Sequence, residues 1–282
     1  MDVIIVYGGI GMNNIELKTH ALNIRRNIVQ MVYDAQSGHP GGSLGSADIL
    51  TYLYFAEMNI NENNVSSINR DRFILSKGHC SPGLYATLKE ANLLDEDLKT
   101  FRQINSKLQG HPNMNYVAGV DMSTGSLGQG ISCAVGMALA NKLDKNDNRV
   151  YVLCGDGESE EGIVWEALMS ACHYKLDNLC VIFDVNGLQI DGNVQDVIGP
   201  LPLDEKAKAF GANVVECDGN DFDSIAKAFA NARNTQNVPT VIIAKTVKGK
   251  GVSYMENNYA WHGAAPKDED YKIAMEDLKE VK

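Results

Sequence analysis

Two stretches decide the fold: Val150-Tyr151-Val152-Leu153-Cys154-Gly155-Asp156-Gly157, and Leu179-Cys180-Val181-Ile182-Phe183-Asp184-Val185-Asn186-Gly187. Each opens as an unbroken apolar run, the pattern of a strand buried on both faces of a parallel sheet. Each then ends abruptly in a polar residue beside glycine. Between them, Glu160–His173 reads as one crossover helix. Further on come a helix, a strand at Asn213–Cys217, a helix at Phe222–Ala232 and a strand at Thr240–Ala244. Strands alternating with helices imply right-handed crossovers and a mainly parallel sheet covered by helices on both faces, an α/β fold. Ligands of such sheets bind beyond the carboxyl ends of the strands. Asp156 and Asn186, 30 residues apart, both stand at such ends.

Upstream, apolar residues recur at helical spacing from Glu16 to Tyr33. A glycine-rich loop, Ser37–Gly42, precedes a helix expected over Ser46–Met58. Arg72–Ser76 reads as a short strand leading into the loop Lys77–Gly83. Residues 109–127 read as a long loop, and Gly128–Leu143 as a helix of small residues. After Thr240–Ala244, the loop Thr246–Pro266 leads to a short amphipathic helix. Nothing divides residues 14–282 into two domains. Residues 1–13 read as a leader or a misassigned start, with Met12 expected as the functional start. The Gly8–Gly11 cluster lacks the spacing of a dinucleotide-binding loop.

Bulk composition excludes several partners. Asp and Glu number 36 against 25 Lys and Arg, a net charge of −11, which opposes nucleic-acid binding. No apolar run approaches the roughly 18 residues that a membrane span requires. The six cysteines include no C-x-x-C pair, so they indicate neither a zinc ribbon nor a redox motif, and they fit a reducing, cytoplasmic setting.

Taken singly, Gly155-Asp156-Gly157 and Asn186-Gly187 are each a tight turn. Together, at two strand ends, they offer hard oxygen ligands of the kind Mg²⁺ takes alongside phosphate oxygens and water. Gly155 and Gly157 let backbone approach a diphosphate, and the following helix aims free N–H groups at it. Four of the six histidines sit against glycine in loops: His39, His79, His111 and His262. Imidazole can donate to phosphate oxygens, hold sugar hydroxyls and move protons near neutral pH. His20 and His173 fall on amphipathic helices and read as structural or surface residues.

Gly155-Asp156-Gly157 followed by Asn186 resembles the thiamine diphosphate motif of the transketolase and 2-oxoacid dehydrogenase families, and the four loop histidines resemble those of transketolases. Similarity runs from about Asn14 to Pro266, with Val185 and Ser126 replacing an Asn and a Pro frequent in the family. The resemblance implies the thiamine-diphosphate-binding fold, with Asp156, Asn186 and the Leu188 carbonyl on Mg²⁺, or on Ca²⁺ or Mn²⁺ in its place. It implies that His79 and His262 contact the diphosphate. His39, His262 and His111 would be catalytic, holding the sugar and assisting proton transfer. Gly125, Ser126 and Leu127 would meet the aminopyrimidine, and Glu161 would link two active sites.

The glutamate that activates the aminopyrimidine, and the arginines that grip the sugar phosphate, belong in that family to a second domain. The resemblance therefore implies the N-terminal subunit of a split transketolase. Such a subunit moves a two-carbon ketol unit between sugar phosphates, as in the pentose phosphate pathway, only with a C-terminal partner subunit in an α₂β₂ heterotetramer. The alternatives are another split thiamine enzyme, acting on a different sugar phosphate or a 2-oxoacid, and a non-catalytic thiamine-diphosphate-binding subunit.

Overall fold

The computed structural model describes residues 12–281. The leader expected over residues 1–13 lies, apart from Met12 and Asn13, outside the described residues.

Helix α1 (Asn14–Ala35) starts at a capping box, where Asn13 accepts from the Glu16 N–H and Glu16 accepts from that of Asn13. Such a box satisfies donors that the first helical turn leaves orphaned. The helix buries Leu17, Ala21, Ile24 and Ile28 at helical spacing. Two short helices follow, α2 (Pro40–Gly45) and α3 (Ala47–Tyr52), continued by a π-helical turn at Leu53–Glu57. Next come β1 (Arg72–Leu75), α4 (Ser81–Glu90), the long loop, α5 (Gln129–Leu143), β2 (Val150–Gly155), α6 (Gly162–His173) and β3 (Leu179–Val185). A small hairpin of β4 (Leu188–Gln189) and β5 (Gly192–Asn193) leads to α7 (Val194–Val197) and α8 (Leu203–Ala209). The chain then runs through β6 (Asn213–Asp218), α9 (Phe222–Asn234), β7 (Thr240–Lys245) and α10 (Asp268–Asp277).

Among the described residues, one five-stranded sheet has the order β1-β2-β3-β7-β6, and each of its pairings is parallel. Alternation along the strands feeds two cores. Tyr151, Leu153, Cys180 and Ile182 face α1, α3, α4 and α9. Val150, Val152, Cys154, Val181 and Phe183 face α5, α6 and α8. The expected mainly parallel α/β sheet, covered on both faces, is what forms.

The expected glycine-rich loop and the helix after it differ from the reading of the sequence. Helix begins at Pro40, inside the supposed loop, because proline suits the first helical position. The single helix expected over Ser46–Met58 is broken at Ser46 and ends as a π-helical turn. Close packing explains the first turns: a Cβ on Gly41 would lie 2.9 Å from the Trp261 carbonyl oxygen, and one on Gly45 would lie 2.9 Å from that of Val247. These glycines are selected by the chain that lies against them, a signal absent from local sequence. Helix α6 begins two residues later than expected, because a 3₁₀ turn occupies Gly157–Glu160.

Leu153, in the middle of the sheet, is fully buried. Leu153→Ala is expected to lower unfolding free energy by about 2–5 kcal/mol. Urea denaturation of the two proteins measures this.

Candidate active site

The carboxyl ends of β1, β2, β3 and β7 share one edge of the sheet. In register, Gly155 of β2 lies opposite Asp184 of β3, and Val185 opposite Lys245 of β7. The next residues of each strand therefore project together into a cavity of about 380 Å³. Asp156, Gly155 and Gly157 line it from β2, Asn186 and Leu188 from beyond β3, and His79 from beyond β1. His39, His111, Gly125, Leu127, Glu161 and His262 close it from the loops and the start of α6. Ser126 does not line it. That residue is exposed, and its carbonyl accepts from the Gln129 N–H.

Asp156 is buried to 2% exposure and ties the two strand ends together. One carboxylate oxygen accepts from the Gly157 N–H at 2.8 Å and the other from the Gly187 N–H at 2.6 Å. Burial and the charge of Asp184 raise its pKa to about 6. Asn186 donates its amide to Asp184 at 3.2 Å, and its oxygen accepts from the Leu188 N–H at 3.1 Å. Because the amide nitrogen is committed to a carboxylate, its oxygen end is the one left for a cation. The Leu188 carbonyl accepts from the Lys248 ammonium at 2.8 Å.

Three imidazoles form a cluster. Ring centroids of His39, His79 and His262 lie 5.0–5.5 Å from one another. Burial, then the positive charge of neighbours, lowers His39 and His79 to about 4 and His262 to about 2. All three are therefore neutral near pH 7 and able to accept a proton or a hydroxyl hydrogen bond. His111 is lowered too, first by burial. Its ring packs on Gly125, where a Cβ would lie 3.1 Å from it. His20 and His173 lie away from the cavity. His20 bonds Glu90 at 2.9 Å and stacks on Phe55, and His173 meets Tyr174 edge-on.

Several lining residues carry no mark in the sequence as strong as these. Lys77 is 2% exposed and pairs with Asp184 at 2.5 Å. Burial alone would lower its pKa, but the Asp184 carboxylate reverses that and raises it. Lys248, also 2% exposed, has a pKa lowered by burial and shares a 2.9 Å contact with His262 Nδ1. Glu158 and Gln189 complete the floor. The signals that could have found them are charge at the end of an apolar strand (Asp184), a lysine against the Gly78-His79 pair, and Lys248-Gly249-Lys250-Gly251.

The family model described as "Transketolase, thiamine diphosphate binding domain" matches residues 17–279. The chain is 41% identical over 257 residues to an apulose-4-phosphate transketolase subunit from Phocaeicola vulgatus, covering 91% of each chain. It is 41% identical over 266 residues to "6-deoxy-6-sulfo-D-fructose transketolase subunit SqwG" of a Clostridium species, covering 94% of this chain and 97% of that one. The chain belongs to the transketolase family. Among solved structures, transketolase from Campylobacter jejuni superposes with a TM-score of 0.87 at 39% identity, over 94% of this chain and 43% of that one. The chain thus spans about two-fifths of the length of the transketolase chains it matches in solved structures, and nearly all of the relatives whose names call them subunits.

The cofactor of a transketolase is thiamine diphosphate with a divalent metal ion, and the residues of this transketolase-family chain fit it. Asp156, Asn186 and the Leu188 carbonyl are oxygen donors of the type a hard cation takes. Among the described residues, no group of three or more His, Cys, Asp and Glu is placed to hold a metal. The donor set here draws instead on one carboxylate, one side-chain amide and one backbone carbonyl. Lys77 and Lys248 supply positive charge beside it. Buried atoms in the same lining, His39 Nδ1 and Gln189 Oε1, have no hydrogen-bond partner among the described residues.

The lowered histidines set a pH dependence. Between about pH 6.5 and 4 the unfolded chain binds protons that the folded imidazoles refuse. Folding stability therefore falls as pH drops through that window. Urea titrations at several pH values are expected to show this slope, and His79→Asn is expected to flatten it.

Proposed function

We propose that this chain is the diphosphate- and metal-binding subunit of a two-chain transketolase, transferring a two-carbon ketol unit from a ketose phosphate to an aldose phosphate. The observation that carries this reading is the meeting of two polar strand ends and four loop histidines in one cavity. The relatives named as subunits, matched over nearly their whole length, support it.

In this reading Asp156, Asn186 and the Leu188 carbonyl hold Mg²⁺. His79, His262, Gly155 and Gly157 address the diphosphate, with Lys77 and Lys248 nearby balancing its charge. Gly125, Ser126 and Leu127 meet the ring end through their backbone. When bound, thiamine diphosphate supplies a nucleophilic carbon and an electron sink for the two-carbon unit. His39 and His262, neutral near pH 7, orient the sugar hydroxyls and accept a proton from them. His111 holds the first hydroxyl of the donor sugar.

The partner subunit supplies the carboxylate for the pyrimidine and the phosphate-gripping residues of the substrate site. We assign the partner-facing side to the Gly125–Gly130 loop, Glu161 and the outer faces of α5 and α6. Helix α5 buries Gly130, Ile131, Ala134 and Ala138 on its own sheet, while Leu143 and Met169 are 75% and 56% exposed. Outward apolar side chains of this kind favour association. Closed symmetry makes the assembly an α₂β₂ heterotetramer with Glu161 near the junction of two sites. Residues 14–282 form its single domain, with Met12 the functional start, and it works in the cytoplasm. No helix among the described residues is long and apolar enough to cross a membrane.

A second reading concerns the sugar. Two relatives bear the names of apulose-4-phosphate and 6-deoxy-6-sulfo-D-fructose transketolases. The same site in this chain would serve such a branched or sulfonated donor, with the pentose phosphates of the pentose phosphate pathway as the reference substrates.

Asp156→Ala is expected to abolish Mg²⁺-dependent binding of thiamine diphosphate while leaving the circular dichroism spectrum intact. Titration calorimetry reads this, and unchanged affinity would remove Asp156 from the metal site. The purified chain alone is expected to show no ketol transfer from xylulose 5-phosphate to ribose 5-phosphate. Activity is expected on mixing with the partner subunit. Robust turnover by the chain alone would overturn the two-chain reading.

A further inference from the structure

Glu158 joins three segments of the site at one point. It sits on the 3₁₀ turn Gly157–Glu160 and is 3% exposed. One of its oxygens accepts from the Ser76 hydroxyl at 2.5 Å and from the Gly128 N–H at 2.8 Å. The other accepts from the Gly155 N–H at 3.0 Å. Ser76 follows β1 and begins the segment that carries Lys77 and His79. Gly128 closes the Gly125–Gly128 loop and stands at the N-cap of α5 with φ +79°. Gly155 ends β2, one residue before Asp156.

The surrounding packing has no slack. A Cβ on Gly130 would lie 2.6 Å from Ser76 Oγ, and one on Gly78 would lie 2.7 Å from the Thr124 carbonyl carbon. The β1 end and the loop therefore already touch, and the carboxylate beneath them ties both to β2. Hydrogen bonds to a carboxylate are shorter and stronger than neutral ones. A carboxylate can accept on both oxygens, whereas Gln in its place would turn an NH₂ toward a buried N–H or O–H donor.

We propose that Glu158 is a positioning residue. It sets the separation between the Gly125–Gly128 loop and the strand end at Gly155-Asp156, and so matches the site to the length of thiamine diphosphate from ring to diphosphate. This rests on the assignment of that loop to the ring end made above. Glu158 acts on two backbone segments at once, so its removal disturbs their spacing more than the loss of either segment's own contacts would.

The test compares two ligands on the full chain with Mg²⁺ present: thiamine diphosphate, and inorganic pyrophosphate, which lacks the ring end. In titration calorimetry, Glu158→Gln is expected to weaken thiamine diphosphate about tenfold. Pyrophosphate is expected to weaken by less than about threefold, because Asp156 and Asn186 keep their own contacts. Ser76→Ala removes one of the three bonds and is expected to give a smaller loss of the same kind. Combined with Glu158→Gln it is expected to add nothing. Hydrogen exchange of amides in 125–130 is expected to quicken in Glu158→Gln while those of β2 and β3 hold. Should Glu158→Gln fail to fold, Ser76→Ala keeps the comparison. An equal loss for both ligands, or no loss for either, overturns the proposal. A wild-type chain that binds pyrophosphate as tightly as thiamine diphosphate overturns it together with the loop assignment.

Discussion

A lysine and an aspartate buried against each other hold this site in place. Lys77 and Asp184 are almost fully enclosed. Two such charges are removed from water at a cost that only close geometry and further hydrogen bonds offset. Both are present. Lys77 also donates to the Gly42 carbonyl at 3.2 Å, while Asp184 accepts from Thr246 and Asn186 as well. One ion pair thus links the ends of β1, β3 and β7 to the glycine-spaced helix α2. Losing either partner alone would leave an uncompensated buried charge, the case in which such pairs are strongly destabilising.

The pair also has an electrostatic consequence for its neighbours. Asp184 pushes the Asp156 carboxyl up after burial has already done so, while Lys77 and Lys248 help keep the imidazoles neutral. The cavity therefore holds two ammonium groups, two carboxylates and three uncharged rings at close range. A doubly charged cation bound to an anionic diphosphate enters an environment that is mixed in sign. The protein supplies lone pairs and hydrogen-bond donors in place of a large excess of one charge.

Much of the fold was legible because the sheet strands are long apolar runs. Val150–Cys154, Leu179–Phe183 and Thr240–Ala244 needed no context, and the structure extends each by one or two residues. The helix around Ser46 was not legible. Its glycines answer to Trp261 and Val247, more than 200 residues away along the chain. The same division runs through the site. Asp156, Asn186 and the loop histidines announce themselves by residue type beside glycine. Lys77, Asp184 and Glu158 do not, because a charged residue after a strand has the same appearance whether it faces water or a buried partner. Only the register of β2 against β3, which sets Gly155 opposite Asp184, distinguishes the two cases.

The order of strands, β1-β2-β3-β7-β6, has a consequence in time. Strand β1 pairs with a strand some 75 residues later, and β3 with one some 60 residues later. Loop closure over such separations comes before the contacts that reward it, which slows folding. The cavity draws on residues from His39 to His262. On the ribosome, its walls at β1, β2 and β3 are made long before Lys248 and His262 emerge. Asp184 and Lys77 can meet early, but the centre strand β3 lacks its β7 neighbour until nearly the whole sequence has been translated. Until then the apolar edge of β3 is open, and that interval is when the nascent chain has most need of a chaperone.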